Sequence, residues 1–238
     1  MNTHYSVRHP EAHAGVLLDQ GLRRHMLGIY NHMGLGLAIT GLVALLVAGT
    51  PSIHQPLFGT PLKWLAIFAP LGFVLFLSFR IERMTIASAR TVFYAFSAVM
   101  GVSLASIFLV YTGTSIARTF FIAAAMFLGV SLWGYLTKRD LTRWSVFLFM
   151  GLIGVVSASI VNLFLGSSTL QLVVSLVGVV VFTGLTAWDT QRAKSDYLAF
   201  AGTPHADKLA IMGALSLYLN LVNLFQLLLA FFGQRREA

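Results

Sequence analysis

The sequence predicts an all-α polytopic membrane protein, and three observations lead there. The chain has 238 residues, of which 57% are hydrophobic and 10% charged; a soluble domain carries roughly 25% charged residues. Its mean hydropathy is +0.81. Seven apolar stretches approach or exceed the roughly 20 residues a helix needs to cross a hydrocarbon core of about 30 Å.

Those stretches are Met26–Gly49, Leu62–Phe79, Thr91–Tyr111, Ile116–Leu136, Trp144–Leu165, Thr169–Trp188 and Leu209–Phe232. Turn residues separate them: Thr50-Pro51 after the first, Gly113 between the third and fourth, and Gly166-Ser167-Ser168 between the fifth and sixth. The longest connections are Thr50–Pro61, Arg80–Arg90 and Asp189–Lys208. Lipid forces each backbone polar group to pair within the protein, which leaves helices or a closed barrel. The run Val173–Phe182 is apolar at odd and even positions alike, whereas a barrel strand alternates. The expected organisation is an N-terminal segment (1–25), a seven-helix membrane domain (26–232) and a short tail (233–238).

Orientation follows from the cations. With seven crossings and a cytoplasmic N-terminus, the inner flanks hold Arg8, Arg23, Arg24, Arg80, Arg83, Arg90, Lys138, Arg139, Arg143, Arg192, Lys194 and Lys208. The outer flanks hold Lys63, Arg118, Arg235 and Arg236. This bias places the N-terminus inside and the C-terminus outside. A re-entrant last helix would return the tail to the inside, but Leu209–Phe232 is long enough to span.

Several function classes drop out. There is no cysteine, so disulfides and thiolate chemistry are excluded. The net charge of +8 comes from short flanks between apolar runs and forms no solvated basic domain, so lipid contact is expected rather than nucleic acid. HExxH, GxSxG, Walker and dinucleotide glycine patterns are missing, so neither an enzyme nor a bound cofactor is expected. No secretory signal is expected either, because the first twenty-five residues are polar.

Among the eight acidic residues, Asp189 stands apart. It closes the run Leu170–Trp188, which holds no other ionisable group. An acid at membrane depth is costly unless paired or hydrated; the plain alternative is an acid at the membrane–water edge. The last span carries Ser216, Tyr218, Asn220, Asn223 and Gln226. Its three amides recur every third position and share one helix face, either bonding to neighbouring helices or lining a hydrated cavity. Arg80 lies close enough to the second span to reach inward towards a carboxylate, while Glu82 reads as a solvated loop residue. Asn31-His32 reads as anchoring or packing. His9 and His13 have a helical metal spacing, but Pro10 biases His9 away from helix, and no metal site is assigned. The glycines within the spans, Gly34, Gly36, Gly41, Gly101, Gly129, Gly151, Gly154, Gly178 and Gly184, are expected at close helix contacts. Gly178 and Gly184 are also candidates for a bend.

Two of these stretches carry a resemblance. The segment from Phe182 to Arg192, Phe-Thr-Gly-Leu-Thr-Ala-Trp-Asp-Thr-Gln-Arg, resembles the sixth-helix motif of the Bax inhibitor-1 family. The segment from Ala214 to Phe225 resembles its seventh-helix motif. Phe79-Arg80 through Arg83-Met84, Met100 to Phe108 and Thr137 to Leu141 are similar to bacterial members, and the likeness runs from Arg23 onward.

The resemblance implies a seven-helix bundle with the last helix central and surrounded by the other six. It implies a pH-sensitive calcium leak, with paired aspartates on the sixth and seventh helices and an arginine latch on the second. Asp189 takes the place of the first aspartate, and Arg80 or Arg83 that of the latch. At the second aspartate this chain departs: where the family reads Leu-Tyr-Leu-Asp, it has Leu217-Tyr218-Leu219-Asn220. Two adjacent carboxylates cannot both ionise cheaply; an aspartate–asparagine pair has no such repulsion, so a family-like pH switch is not expected. One carboxylate and one amide also offer calcium less than two carboxylates do.

Spacing raises a further question. Measured along straight inserted helices, Asp189 and Asn220 differ in depth by roughly 10 Å or more. Contact between them would need a bend, a tilt or an outward shift of the sixth helix. The expected function is an inner-membrane cation leak with Asp189 at the gate, Asn220 and Asn223 on the central helix, and Arg80 or Arg83 as latch. The rival is a non-transporting regulator that binds other membrane proteins, such as a membrane protease.

Overall fold

A computed structural model describes residues 10–80 and 83–236. Arg8, His4, His9 and Glu82 lie outside them. The described helices are α1 (Pro10–Gly49), α2 (Pro51–Gly59), α3 (Leu62–Arg80), α4 (Ile86–Val110), α5 (Gly113–Leu136), α6 (Ser145–Leu165), α7 (Ser168–Phe200) and α8 (Pro204–Phe232). A short 3-10 turn, Thr142–Trp144, leads into α6. Among the described residues the one β pairing is an isolated bridge between Tyr111 and Arg235.

Among the described residues six helices are long and apolar enough to cross a membrane; α2 and α3, bent by 90° to each other, bring the number to seven if they count as one span. The expected spans are all helical, but their ends move. α1 begins at Pro10 rather than Met26. The connection expected over Thr50–Pro61 contains α2, which starts with Pro at its first turn, where a missing N–H costs nothing. No residue of α2 is buried. The largest change is at Asp189–Lys208: α7 runs on to Phe200 and α8 starts at Pro204. The long loop is therefore a three-residue turn, with Gly202 in the left-handed region at φ 79°, a conformation that glycine adopts without steric cost.

α8 is the central helix. Half of its most apolar window is buried, against 17% for α6. It packs on α1, α4, α5 and α7. The ring around it is incomplete: α3 packs mainly on α4, and α6 on α7. Leu65, Leu71, Phe79, Phe147, Ile153 and Phe164 face outward on these two peripheral helices. Such a surface is stable against lipid, where apolar exposure carries no hydration cost.

Tyr218 marks the middle of the bundle and is fully buried. Its ring meets Phe93 and Phe96 edge-on, with centroids 5.9 and 5.6 Å away. Its hydroxyl lies 2.6 Å from Thr40 Oγ1 on α1. That oxygen is in turn 2.9 Å from the carbonyls of Gly36 and Ser97, so the phenol is satisfied without water.

Five of the nine glycines expected at helix contacts are there: Gly36, Gly101, Gly151, Gly178 and Gly184 each face a neighbouring side chain or backbone too closely for a Cβ. Gly34, Gly41, Gly129 and Gly154 face open space instead. Gly178 and Gly184 receive Leu227 and Leu148, and α7 is one continuous helix through both, so both serve as packing positions. Gly134, at the end of α5, lies against backbone of α7: a Cβ there would stand 2.5 Å from the Ala187 carbonyl oxygen.

The tail is strapped to the α4–α5 turn. Thr112 N donates to Gln234 O (3.0 Å), Arg236 N to Val110 O (2.9 Å) and Gln234 N to Ser115 Oγ (3.0 Å). The C-terminal end of α8 thus shares a side with that turn, as the four spans α5–α8 between them require. α8 itself is a single helix of 29 residues, about 43 Å long at 1.5 Å per residue, and does not turn back.

Candidate functional site

The site is built where α7 and α8 run antiparallel. Past Trp188 the chain turns polar, yet its helix continues. Arg192 and Asp196 pair across one turn at 3.7 Å, and Thr190 Oγ1 donates to Thr186 O at 2.7 Å. Trp188 is buried edge-on against Phe149, with centroids 5.5 Å apart. Thr190 is fully buried and lies 2.8 Å from Ser131 Oγ on α5, which lies 2.6 Å from Tyr30 Oη on α1. Asp189, between two anchored neighbours, is held at the bundle rather than released to the surface.

Asp189 and Asn220 meet. Asn220 Nδ2 donates to Asp189 Oδ2 at 2.7 Å; a carboxylate only accepts, so the amide must present its NH2 group. No bend in α7 is needed. Register is set by the three-residue turn, not by the end of the apolar run. Counted from the turn, Asp189 is eleven residues back from Phe200 and Asn220 sixteen beyond Pro204, a difference of about 8 Å along the axes, which two side chains and helix tilt close. Gly213 beside Ala193 and Gly178 beside Leu227 belong to nearly the same register.

Asn223 does not join the pair. Its Nδ2 donates to the Leu219 carbonyl of its own helix at 2.8 Å. Arg80 and Arg83 are exposed, and among the described residues no ion pair joins either one to Asp189. Arg192, on the same helix, lines both cavities with Asp189, its guanidinium 5.4 Å from the Trp188 ring centre. Sequence reading placed Arg192 among the flanking cations and gave it no role in the site. His32, read as anchoring, lies 2.7 Å from Tyr94 Oη through Nδ1. Gln191 was also missed. Its Oε1 accepts from Leu141 N, and its Nε2 donates to Arg139 O, both at 2.8 Å. Its place beside Asp189 in the motif was the one signal available.

Asp189 stands at the junction of two cavities. One, of about 250 Å³, reaches past Asp196, His205 and Lys208 towards the α7–α8 turn. The other, of about 260 Å³, passes Asn220 and Asn223 and extends to Val74 on α3 and Phe149 and Leu152 on α6. Asp189, Arg192, Met212 and Ser216 line both. Among the described residues no group of three His, Cys, Asp or Glu side chains could hold a metal. The oxygen donors here are the Asp189 carboxylate and the neighbouring amides, with the Asp196 carboxylate further along the first cavity.

The sequence matches the family described as "Inhibitor of apoptosis-promoting Bax1" over residues 22–237. It is 47% identical to protein RP147 of Rickettsia prowazekii over 219 residues, 92% of this chain and 93% of the relative. It is 42% identical to a Caulobacter vibrioides protein over 246 residues, 99% of this chain and 98% of that one. Inner membrane protein YbhL of Escherichia coli is 41% identical over 232 residues, covering 96% of this chain and 99% of the relative. The helical fold, the two late motifs and these matches lead to one conclusion: the chain is a membrane protein of the Bax inhibitor-1 family.

Proposed function

We propose that this protein is a non-enzymatic cation leak pathway of the inner membrane that passes calcium, with the Asp189–Asn220 pair as its constriction. The observation that carries this reading is the position of Asp189 between two cavities that share four lining residues. The twelve-to-four distribution of cations supports a cytoplasmic N-terminus and α7–α8 turn, with the C-terminus outside. The first cavity is then the inner vestibule. The second runs between α3, α6 and α8, where the ring around α8 is open. In this reading Arg80, at the end of α3, or Arg83, just beyond it, acts as latch when that helix closes on the opening.

The test is flux in liposomes loaded with a calcium dye, comparing wild type with Asp189→Ala and Asp189→Asn over about pH 5 to 8, where a perturbed carboxylate titrates. Flux above empty liposomes that falls in both variants is expected. Absence of flux at every pH removes the leak reading, and flux indifferent to both substitutions removes Asp189 from it. A stable membrane partner recovered without any flux favours a non-transporting regulator.

A further inference from the structure

A second polar assembly lies on the other side of Trp188. The α5–α6 connection is fastened to α7 by Gln191, through Leu141 N and Arg139 O. Lys194 Nζ adds a bond to Tyr135 O at 3.2 Å. Asp140 Oδ1 accepts from Thr142 N at 2.9 Å within the same loop. The loop carries Arg139 and Arg143, both exposed, on a backbone held in place.

Beneath it is a cavity of about 630 Å³ between α5, α6 and α7. Leu148 packs onto Gly184 at its floor, and Trp133, Trp144, Leu148 and Trp188 supply apolar walls. Arg139, Asp140 and Arg143 form its polar rim. Trp133 and Trp144 are 50% and 60% exposed, and indoles at a helix end mark the membrane–water boundary. The cavity therefore joins cations on its water side to an apolar slot on its lipid side.

We propose that this cavity binds one anionic glycerophospholipid, with its phosphate between Arg139 and Arg143 and an acyl chain along the Trp133, Trp144, Leu148 and Trp188 side chains. Guanidinium forks suit phosphate oxygens, and basic pockets between membrane helices take anionic headgroups. Asp140 does not cancel the site. The bonds from Thr142 and the charge of Arg143 hold its carboxyl below the usual range, so the rim carries two positive charges against one negative. A zwitterionic headgroup would bring an ammonium towards this excess positive charge. Free phosphate would gain nothing from the indole slot. Trp188 also lines the cavity behind Asp189, so the lipid would rest on the same residue that backs the α7–α8 site.

Full-length protein in detergent would be titrated with phosphatidylglycerol, phosphatidylethanolamine and inorganic phosphate and followed by native mass spectrometry. One retained phosphatidylglycerol is expected, bound about tenfold more weakly by the Arg139→Gln/Arg143→Gln variant and unchanged by Lys138→Gln. A second measurement needs no change at the site. Trp64→Phe protein is reconstituted with brominated phosphatidylglycerol or brominated phosphatidylethanolamine, and stronger indole quenching by the former is expected. If the double variant does not fold, this comparison decides alone. Equal binding or equal quenching by the two lipids overturns the proposal. So does phosphatidylglycerol affinity unchanged in a folded double variant, or displacement of the lipid by equimolar inorganic phosphate.

Discussion

Asn220 donates a 2.7 Å hydrogen bond to the Asp189 carboxylate across the α7–α8 interface, where the family motif implies a second aspartate. The pair keeps a family-like contact and replaces carboxylate repulsion with an amide donor. Asn220→Ala leaves the carboxylate without this donor, and a loss of about 1–3 kcal/mol is expected. Thermal unfolding in detergent measures it. The swap Asp189→Asn/Asn220→Asp restores an amide–carboxylate pair and should recover most of the loss.

Asn220→Asp tests what the amide changes. Two carboxyl groups in contact share a proton. Calcium flux in that variant is expected to vary across about pH 5 to 8, more steeply than in wild type. Parallel profiles for the two proteins would show that the second carboxylate does not set pH response in this chain.

Tyr218→Phe removes the hydroxyl that meets Thr40 at 2.6 Å while keeping the ring between Phe93 and Phe96. Interhelical hydrogen bonds in membranes contribute about 0.6 kcal/mol on average and up to about 1.7. A loss near 1 kcal/mol is expected here, because the site is fully buried. A denaturation series that includes Thr40→Val checks it, since two changes at one bond should not add.

Gly134→Ala is expected to destabilise by about 1–3 kcal/mol, because its Cβ would stand 2.5 Å from the Ala187 carbonyl oxygen and 2.9 Å from its Cα, both backbone atoms that cannot swing aside. Gly34→Ala has nothing within 4 Å. It should be neutral or slightly stabilising, since alanine favours helix by up to about 1 kcal/mol. The two melting temperatures, compared side by side, separate close packing from helix propensity.

Gln191→Ala cuts both bonds to the α5–α6 loop. Faster trypsin cleavage after Lys138 or Arg139 is expected, because proteolysis follows local opening. A cleavage rate equal to wild type would mean that other contacts hold the loop.

The sequence by itself determined the class of protein, where its spans lie and which polar residues face the expense of lipid. Hydropathy carries that information, because each span must satisfy its backbone internally and present apolar side chains to lipid. Asp189, Asn220 and Asn223 were legible for that reason. Tertiary structure decided which of them meet. Hydropathy marks where lipid ends, while helical hydrogen bonding continues through the polar stretch to Phe200. The turn at Ala201–Thr203 then sets the antiparallel register that brings Asn220 to Asp189 and leaves Asn223 on its own backbone. Arg80 and Arg83 were legible as cations beside a span, yet α3 packs at the edge of the bundle and leaves them exposed. Gln191 acts on a loop about fifty residues earlier in the chain, and no local pattern encodes a contact across that distance.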